Sequence, residues 1–514
     1  MDLAAKIVLL VAAAFCCAVQ AVYFTHMLQL NSYRDERYAR WCGENSNKIF
    51  NLRRMLPVLL MVLAFLPLAA WLRDGIAAGV LLLTGALCWP KKAKKPLVVT
   101  ARVKRLFLVQ GLVLAVALVL AWFFAAWRSL FLLGLFCSVV WFWVRVAALL
   151  ASPVEKAIAN RYVEDARRRL AAMPALRVIG ITGSYGKTST KTFLHALLSV
   201  KYNVLMTPEN FNTTLGVVRT VREHLRPTHQ IFLAEMGAKN VGDIKEICDL
   251  VHPEMGVITS IGEQHLETFG SIDNIIKTKF ELADALPADG LVFLNFDNAH
   301  IRERNVNVEA VSYGLTAGDY TVGDIQVDAT GSHFTVTAPN GEQATFATKL
   351  LGAHNIQNLI GCIAVAHRLG ISLTEMQYPV RLLKPVPHRL QLLPNGYIDD
   401  AYNSNPAGFR AALDVLARFG TQRVLVTPGM VELGNRQNAL NRELGEYAAG
   451  CCDYALLVGP KQAPPLKEGL LAAGFPEERI YVAPTLTDAL AHLATIPAEN
   501  GRTVLLENDL PDNF

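Results

Sequence analysis

The chain has 514 residues, 52% of them apolar and 18% charged, with 49 Lys and Arg against 44 Asp and Glu. That length holds roughly two to four domains, and its charge is split: residues 1–150 carry 17 basic and 5 acidic residues, so the remainder is net acidic. The positive excess sits beside apolar segments, which excludes a nucleic-acid binder, and nine cysteines without a C-x-x-C pair exclude a zinc ribbon and a disulfide framework.

Five apolar stretches come first, at roughly 4–24, 56–72, 75–90, 106–127 and 129–150. The first, fourth and fifth are long enough to cross a bilayer; the second and third are short and suggest a tight hairpin. The first has the length of a signal peptide but no small-residue cleavage site, and reads as an anchor helix. Loop charge orients the set. Arg34, Arg37, Arg40, Lys48, Arg53 and Arg54 lie between the first two stretches, and Lys91, Lys92, Lys94, Lys95, Arg102, Lys104 and Arg105 between the third and fourth. The other two loops hold only Arg73 with Asp74, and Arg128. Basic loops stay cytoplasmic. A multi-pass domain of the cell membrane is therefore expected over 1–150, with about five spans, the N-terminus outside and the catalytic part in the cytoplasm, where ATP is. Trp71, Trp89, Trp122, Trp127, Trp141 and Trp143 fall mainly near span ends. Arg145, late in the fifth stretch, is placed to snorkel to the cytoplasmic face.

Residues 151–175 predict a linker helix. From 176 onward short apolar strands alternate with helical patterns, which predicts a mostly parallel sheet covered by helices. Strands are expected at 230–235, 255–259 and 291–295, and an antiparallel patch over 320–350 with a turn at Asn340-Gly341. Lys384-Pro-Val-Pro387 reads as a stiff hinge between a central domain (176–384) and a C-terminal α/β domain (385–514), with strands near 423–427, 454–458, 479–482 and 503–506. The expected fold class is thus an α-helical membrane domain followed by two α/β domains.

The sharpest motif runs from Val178 to Thr190. A buried strand leads into a loop with Gly183, Ser184, Tyr185 and Gly186, then Lys187, Thr188 and Ser189 open a helix. This is a phosphate cradle: small loop residues turn backbone N–H groups toward phosphates, and the helix dipole adds positive potential. Lys187 is placed to reach the β/γ-phosphates and Thr188 to ligate Mg²⁺. The spacing departs from the general P-loop, since Ile181 stands where the first glycine belongs. Glu235 and His265 each follow an apolar strand, at strand ends where open α/β sheets place ligands. Carboxylate suits Mg²⁺, whereas His is an unusual ligand for it. Lys277 and Lys279 follow on a helix.

Ten ordered motifs make the chain resemble the Mur ligase family, most of all its D-alanyl-D-alanine-adding branch. They are Thr182-Gly-Ser-Tyr-Gly-Lys-Thr188, Glu209-Asn-Phe-Asn-Thr-Thr-Leu-Gly216, Ala234-Glu-Met-Gly237, Gln264-His-Leu-Glu267, Lys279-Phe-Glu-Leu282, Asn295-Phe-Asp297, Gly352-Ala-His-Asn-Ile-Gln-Asn358, His388-Arg389, Asp399-Asp-Ala-Tyr-Asn-Ser-Asn-Pro406 and Met430-Val-Glu-Leu-Gly434. The resemblance implies an ATP-dependent amide ligase of cell-wall synthesis that works through an acyl phosphate. It implies that Lys187 binds ATP phosphates, that Thr188 holds one Mg²⁺, and that Glu235 and His265 hold a second. It implies that Lys279 is carbamylated by CO₂ and helps place that second metal, with Lys277 as its neighbour and competitor. Asn212 would lie by the phosphates, Asn295 and Asn358 on the adenine side, and Asn405 on the substrate side. Arg389 and Asp400 would close onto the γ-phosphate and ribose.

Three departures mark this chain. Apolar spans stand where the family has a soluble UDP-sugar-binding domain, His388 replaces the usual glycine before the hinge arginine, and the run Leu505 to Phe514 has no Lys-Gly-Ser-Arg motif. The expected partners are the membrane, a UDP-linked or lipid-linked cell-wall peptide carrying the carboxylate, and an amino acid or dipeptide amine. A poly-γ-glutamate synthase-like ligase is the alternative within the superfamily. An ATP-driven transporter is the alternative outside it, and it needs neither Lys279, Arg389 nor a second α/β domain.

Overall fold

The computed structural model describes residues 3–90, 95–328, 331–402 and 404–509. Lys91, Lys92 and Lys94 of the second basic loop, Asn403 of the Asp399–Pro406 motif and the terminal residues 510–514 lie outside the described residues. The chain forms two compact units, divided between Asn160 and Arg161.

The first unit is helical. Three helices are long and apolar enough to cross a membrane, Leu3–Leu30, Ala70–Leu87 and Ala101–Phe123, and a fourth crossing results if the pair Trp127–Ser138 and Val140–Ala171, bent by 76°, counts as one. This is fewer than the five spans expected, for local reasons. Pro57 and Pro67 lie inside the second apolar stretch, and a proline removes a backbone donor and clashes with the preceding turn, so the stretch holds only the short helix Val58–Leu63 and the start of Ala70–Leu87. The fifth stretch breaks at Val139. Side-chain contacts define two ends of the unit. At one end Lys6 meets Trp122, and the Phe65 and Trp127 rings lie 6.0 Å apart. Toward the other, Arg54 stacks on Tyr23 at 3.8 Å, the Lys95 carbonyl meets His26 at 2.7 Å, and Arg145 binds Asp35. Both basic loops therefore gather at one end. Residues 151–171 continue the helix Val140–Ala171 without interruption, Pro153 included.

The second unit holds two six-stranded sheets and a three-stranded one. The first sheet contains β1 (Arg177–Thr182), β2 (Val204–Met206), β3 (Ile231–Glu235), β4 (Met255–Ile258), β5 (Leu291–Asn295) and β6 (Glu309–Tyr313), in the order β2-β3-β1-β4-β5-β6. All its pairings are parallel. Its strands read as unbroken apolar runs because helices cover both faces: Ile179, Ile181, Leu233 and Val257 join one core, and Val178, Phe232 and Ile258 the other. A meander follows, β7 (Thr321–Asp328), β8 (Gly331–Thr337) and β9 (Gln343–Thr348), antiparallel throughout. It turns at Gly341, whose φ of 84° is the left-handed conformation a tight hairpin needs. Past the irregular segment at Lys384–Pro387 come β10 (Gln391–Leu392), β11 (Tyr397–Asp400), β12 (Gln422–Thr427), β13 (Tyr454–Val458), β14 (Ile480–Ala483) and β15 (Arg502–Glu507), in the order β10-β11-β15-β12-β13-β14. Only β10 is antiparallel to its neighbour.

Candidate active site

The site grows from the C-terminal ends of β1, β3 and β4, the crevice where parallel sheets bind ligands. Beyond β1 the chain turns through Gly183 and Gly186 into the helix Lys187–Leu198. Gly186 has φ 83°, and a Cβ there would stand 2.4 Å from Asn358 Oδ1; at Gly183 it would stand 2.1 Å from Thr259 Oγ1. The loop is therefore held against the segment after β4. The Ser184 N–H donates to Ser260 O at 2.7 Å and the Tyr185 N–H to Ser260 Oγ at 3.0 Å, while Thr259 and Ser260 hydroxyls donate to Tyr185 O. The loop's own N–H groups at 184 and 185 are thus occupied. The amides left for phosphate are those of the helix's first turn, Lys187, Thr188 and Ser189, which have no acceptor within the helix.

Lys187 folds back over this loop, donating to Gly183 O at 2.7 Å and Ser184 O at 3.0 Å. Burial pulls its ammonium down to about 8, against the pull of Glu235. Thr188 Oγ1 donates to Glu235 Oε1 at 3.2 Å, and Asn212 Nδ2 donates to the same oxygen at 3.0 Å. Glu235 ends β3 fully buried, and its other oxygen faces Lys191 Nζ at 2.9 Å. That approach is an ion pair without hydrogen-bond alignment, because Oε2 has no aligned donor. Lys191 is itself 1% exposed and spends a donor on Glu209 O at 2.6 Å. Sequence reasoning gave Lys191 no role; its place four residues after Lys187, on the buried side of the same helix, was the available signal.

Lys279 is 3% exposed on the helix Ile272–Asp284, and Lys277 is exposed. Among the described residues Lys279 makes no hydrogen bond and no ion pair within 4 Å. Burial, reinforced by the charge of Lys187, holds its amine far below the usual lysine range. His265 has φ 54°, and its Nδ1 lies 2.5 Å from Glu432 Oε2. Glu432 also accepts from Lys239 Nζ at 3.3 Å, so one carboxylate from beyond β12 gathers two groups of the first sheet's loops. Burial pushes the His265 imidazole below its ordinary value.

Asn295 spends its amide on Thr259 O at 2.7 Å and accepts from the Asp297 N–H. Asn358 stands against Gly186, beside the phosphate loop. Arg389 stacks on Tyr402 at 4.1 Å, and its charge acts on Lys187 and Asp400. Asn405 caps the helix Pro406–Leu416, its Oδ1 accepting from Gly408 N at 2.9 Å. His388 pairs with Asp399 at 2.7 Å.

The cradle fits a nucleotide's phosphates: glycines where a Cβ would clash, free first-turn amides and a buried lysine. The oxygen donors of Thr188 and Glu235 fit Mg²⁺. Among the described residues no three His, Cys, Asp or Glu side chains converge on a metal position.

Residues 181–366 match the Mur ligase middle domain and residues 388–507 the Mur ligase glutamate ligase domain. The UDP-N-acetylmuramoyl-tripeptide–D-alanyl-D-alanine ligase of Escherichia coli K12 is 33% identical over 330 residues, 61% of this chain and 73% of that one. The chain belongs to the Mur ligase family. The Bacillus subtilis 168 protein of the same name is 34% identical to this Mur ligase over 277 residues, which span 52% of this chain and 59% of that relative. The MurF ligase of Thermotoga maritima, solved in complex with ADP, superposes with a TM-score of 0.62 at 25% identity, over 68% of this chain and 80% of that one. As a Mur ligase the chain is an ATP-dependent ligase, and the parallel central sheet and mixed C-terminal sheet are the fold of the family.

Proposed function

We propose that this chain is a membrane-anchored ligase that joins an amine, an amino acid or a dipeptide like D-alanyl-D-alanine, to a carboxylate on a cell-wall peptide precursor. The precursor is UDP-linked or lipid-linked. The carboxylate attacks the γ-phosphorus of ATP, releasing ADP and leaving an acyl phosphate; the amine then attacks the acyl carbon and phosphate departs as the amide forms. One observation carries this reading: Lys187, Thr188 and Glu235 converge at the mouth of the phosphate cradle, with Arg389 acting on the same space. Lys187 and Arg389 balance charge on the transferred phosphoryl. Thr188 and Glu235 would hold one Mg²⁺, and Glu235, His265 and Lys279 as its CO₂ carbamate a second. Such ions supply charge neutralisation when bound. Lys279 suits carbamylation because an unprotonated amine is the form that adds CO₂. Closure about Lys384–Pro387 would keep water from the acyl phosphate. For location, the support is the gathering of both basic loops at one end of the helical unit, since basic loops tend to stay cytoplasmic.

The test is product analysis by mass spectrometry on membranes supplied with ATP, candidate amines and UDP-linked or lipid-linked peptides. An amide product and ADP in equal amounts are expected, with Lys187→Ala lowering turnover by about 10²–10³-fold or more. Full ligation by Lys187→Ala would overturn the reading.

A further inference from the structure

At the end of the helical unit where the basic loops meet lies a cavity of about 170 Å³. Tyr33, Arg102 and Ser152 form its polar wall; Leu28, Leu106 and Leu149 form its apolar wall. Asp35 and Glu155 border it too, but both are taken. Arg145 grips Asp35 through two nitrogens, at 2.5 and 2.7 Å, and Arg105 grips Glu155 at 2.6 and 2.8 Å. These two-pronged pairs fix the floor, because the planar guanidinium fork matches a carboxylate in one geometry.

Arg102 differs. Its guanidinium lies 4.0 Å over the Tyr33 ring. Among the described residues it has no hydrogen bond and no carboxylate within 4 Å. Stacking on the ring leaves its five N–H donors in the plane unspent. Arg102 is also the second residue of the 23-residue helix Ala101–Phe123, capped by Thr100, so the positive end of that helix adds to its field. Arg105 and Arg145, standing behind the lining, neutralise Glu155 and Asp35, so that Arg102, whose charge also reaches Glu155, is the remaining positive charge at the cavity. Leu149, 51% exposed, continues the apolar wall onto the outer surface of the unit.

We propose that this cavity binds the phosphate head of an amphiphile, with Arg102 and Ser152 on the phosphate oxygens and the hydrocarbon chain lying along Leu106 and Leu149. The head chemistry is shared by a bilayer phospholipid and an isoprenyl phosphate. The inference concerns residues 3–160 alone and stands whether or not the ligase reading does.

The test uses the full chain in a neutral maltoside detergent and radiolabelled dodecyl phosphate. Saturable retention of one molecule per chain is expected. Arg102→Ala should weaken it about ten- to a hundred-fold, the value of a charge-assisted hydrogen-bonded head, and Arg102→Lys less. Ser152→Trp, which fills the cavity and keeps every charge, should abolish retention even if Arg102→Ala fails to fold. Arg128→Ala, at the opposite end, should leave it unchanged. Competition by farnesyl phosphate or by phosphatidylglycerol supports the site, and the stronger competitor names the source. Equal retention by Arg102→Ala or Ser152→Trp overturns the proposal. So does equal competition by inorganic phosphate, which lacks the chain, or by dodecanol or dodecanoate, which lack the phosphate.

Discussion

Asp400 and Glu507 are direct register partners on the parallel strands β11 and β15, so two carboxyl groups stand side by side, Glu507 fully buried. Two carboxylates cannot both hold charge at that distance out of water. Burial raises both, Glu507 well above the usual carboxylate range, while the Arg389 charge pulls the other way. Ser404 Oγ donates to Glu507 Oε1 at 2.7 Å, and Oε2 has no donor from N–H or hydroxyl groups. Burial and the neighbouring carboxyl both favour keeping a proton on the pair.

This pair sets a pH dependence. The folded state keeps a proton that the unfolded chain releases above an ordinary carboxylate value near 4.5. Its contribution to stability is therefore complete in acid and falls as pH rises toward the elevated folded value. Glu507→Gln, which keeps a donor and cannot ionise, should flatten the decline and be the more stable protein at pH 8. Urea midpoints of both proteins from pH 5 to pH 8 measure this; parallel curves would count against a retained proton.

The Lys191–Glu235 pair predicts a stability loss separable from catalysis. Removing one member of a fully buried ion pair strands the other, at about 3–5 kcal/mol. Lys191→Met should be destabilised by that order. The double variant with Glu235→Gln should recover a good part of it while losing activity, since Thr188 and Asn212 keep only a neutral partner. Denaturant unfolding of the four proteins of the cycle gives the coupling.

Lys279 and Lys277 should behave oppositely. Lys279→Ala is expected to lose about a hundred-fold or more in ligation rate, and Lys277→Ala to stay within about twofold. Activity of the unaltered protein should fall when CO₂ is stripped from buffers and return with bicarbonate. A ¹³C carbonyl signal from labelled bicarbonate, absent in Lys279→Ala, identifies the carbamate independently of turnover.

Membrane orientation has its own measurement. On intact cells an impermeant maleimide should label Arg128→Cys, at the end bearing Lys6 and Trp127, and should label Arg37→Cys only after permeabilisation. The reverse pattern would place the catalytic unit outside.

Much of the site was legible because its motifs sit on local structure. An apolar run, two glycines and Gly-Lys-Thr specify β1, the turn and the helix start within fourteen residues. The strand at 454–458 was readable because its whole length is apolar. β2, three residues long, gives no pattern to read. The expected spans failed where prolines at 57 and 67 interrupted composition that was otherwise apolar. Spacing alone left Lys277 and Lys279 as rivals. Helix periodicity separates them: Lys279 shares a face with Ile275 and Leu282, both buried, and Lys277 does not. The Asp400–Glu507 pairing was out of reach, since strand register across a hundred residues is a product of the fold.

Glu432 meets His265 and Lys239, and Arg436 meets Glu263. These clasps between the two larger sheets are electrostatic and partly open to water, and such attraction fades as mobile ions crowd in. Raising the salt concentration should therefore loosen the hold of one sheet on the other, a sensitivity that a greasy seam between the same sheets would not confer.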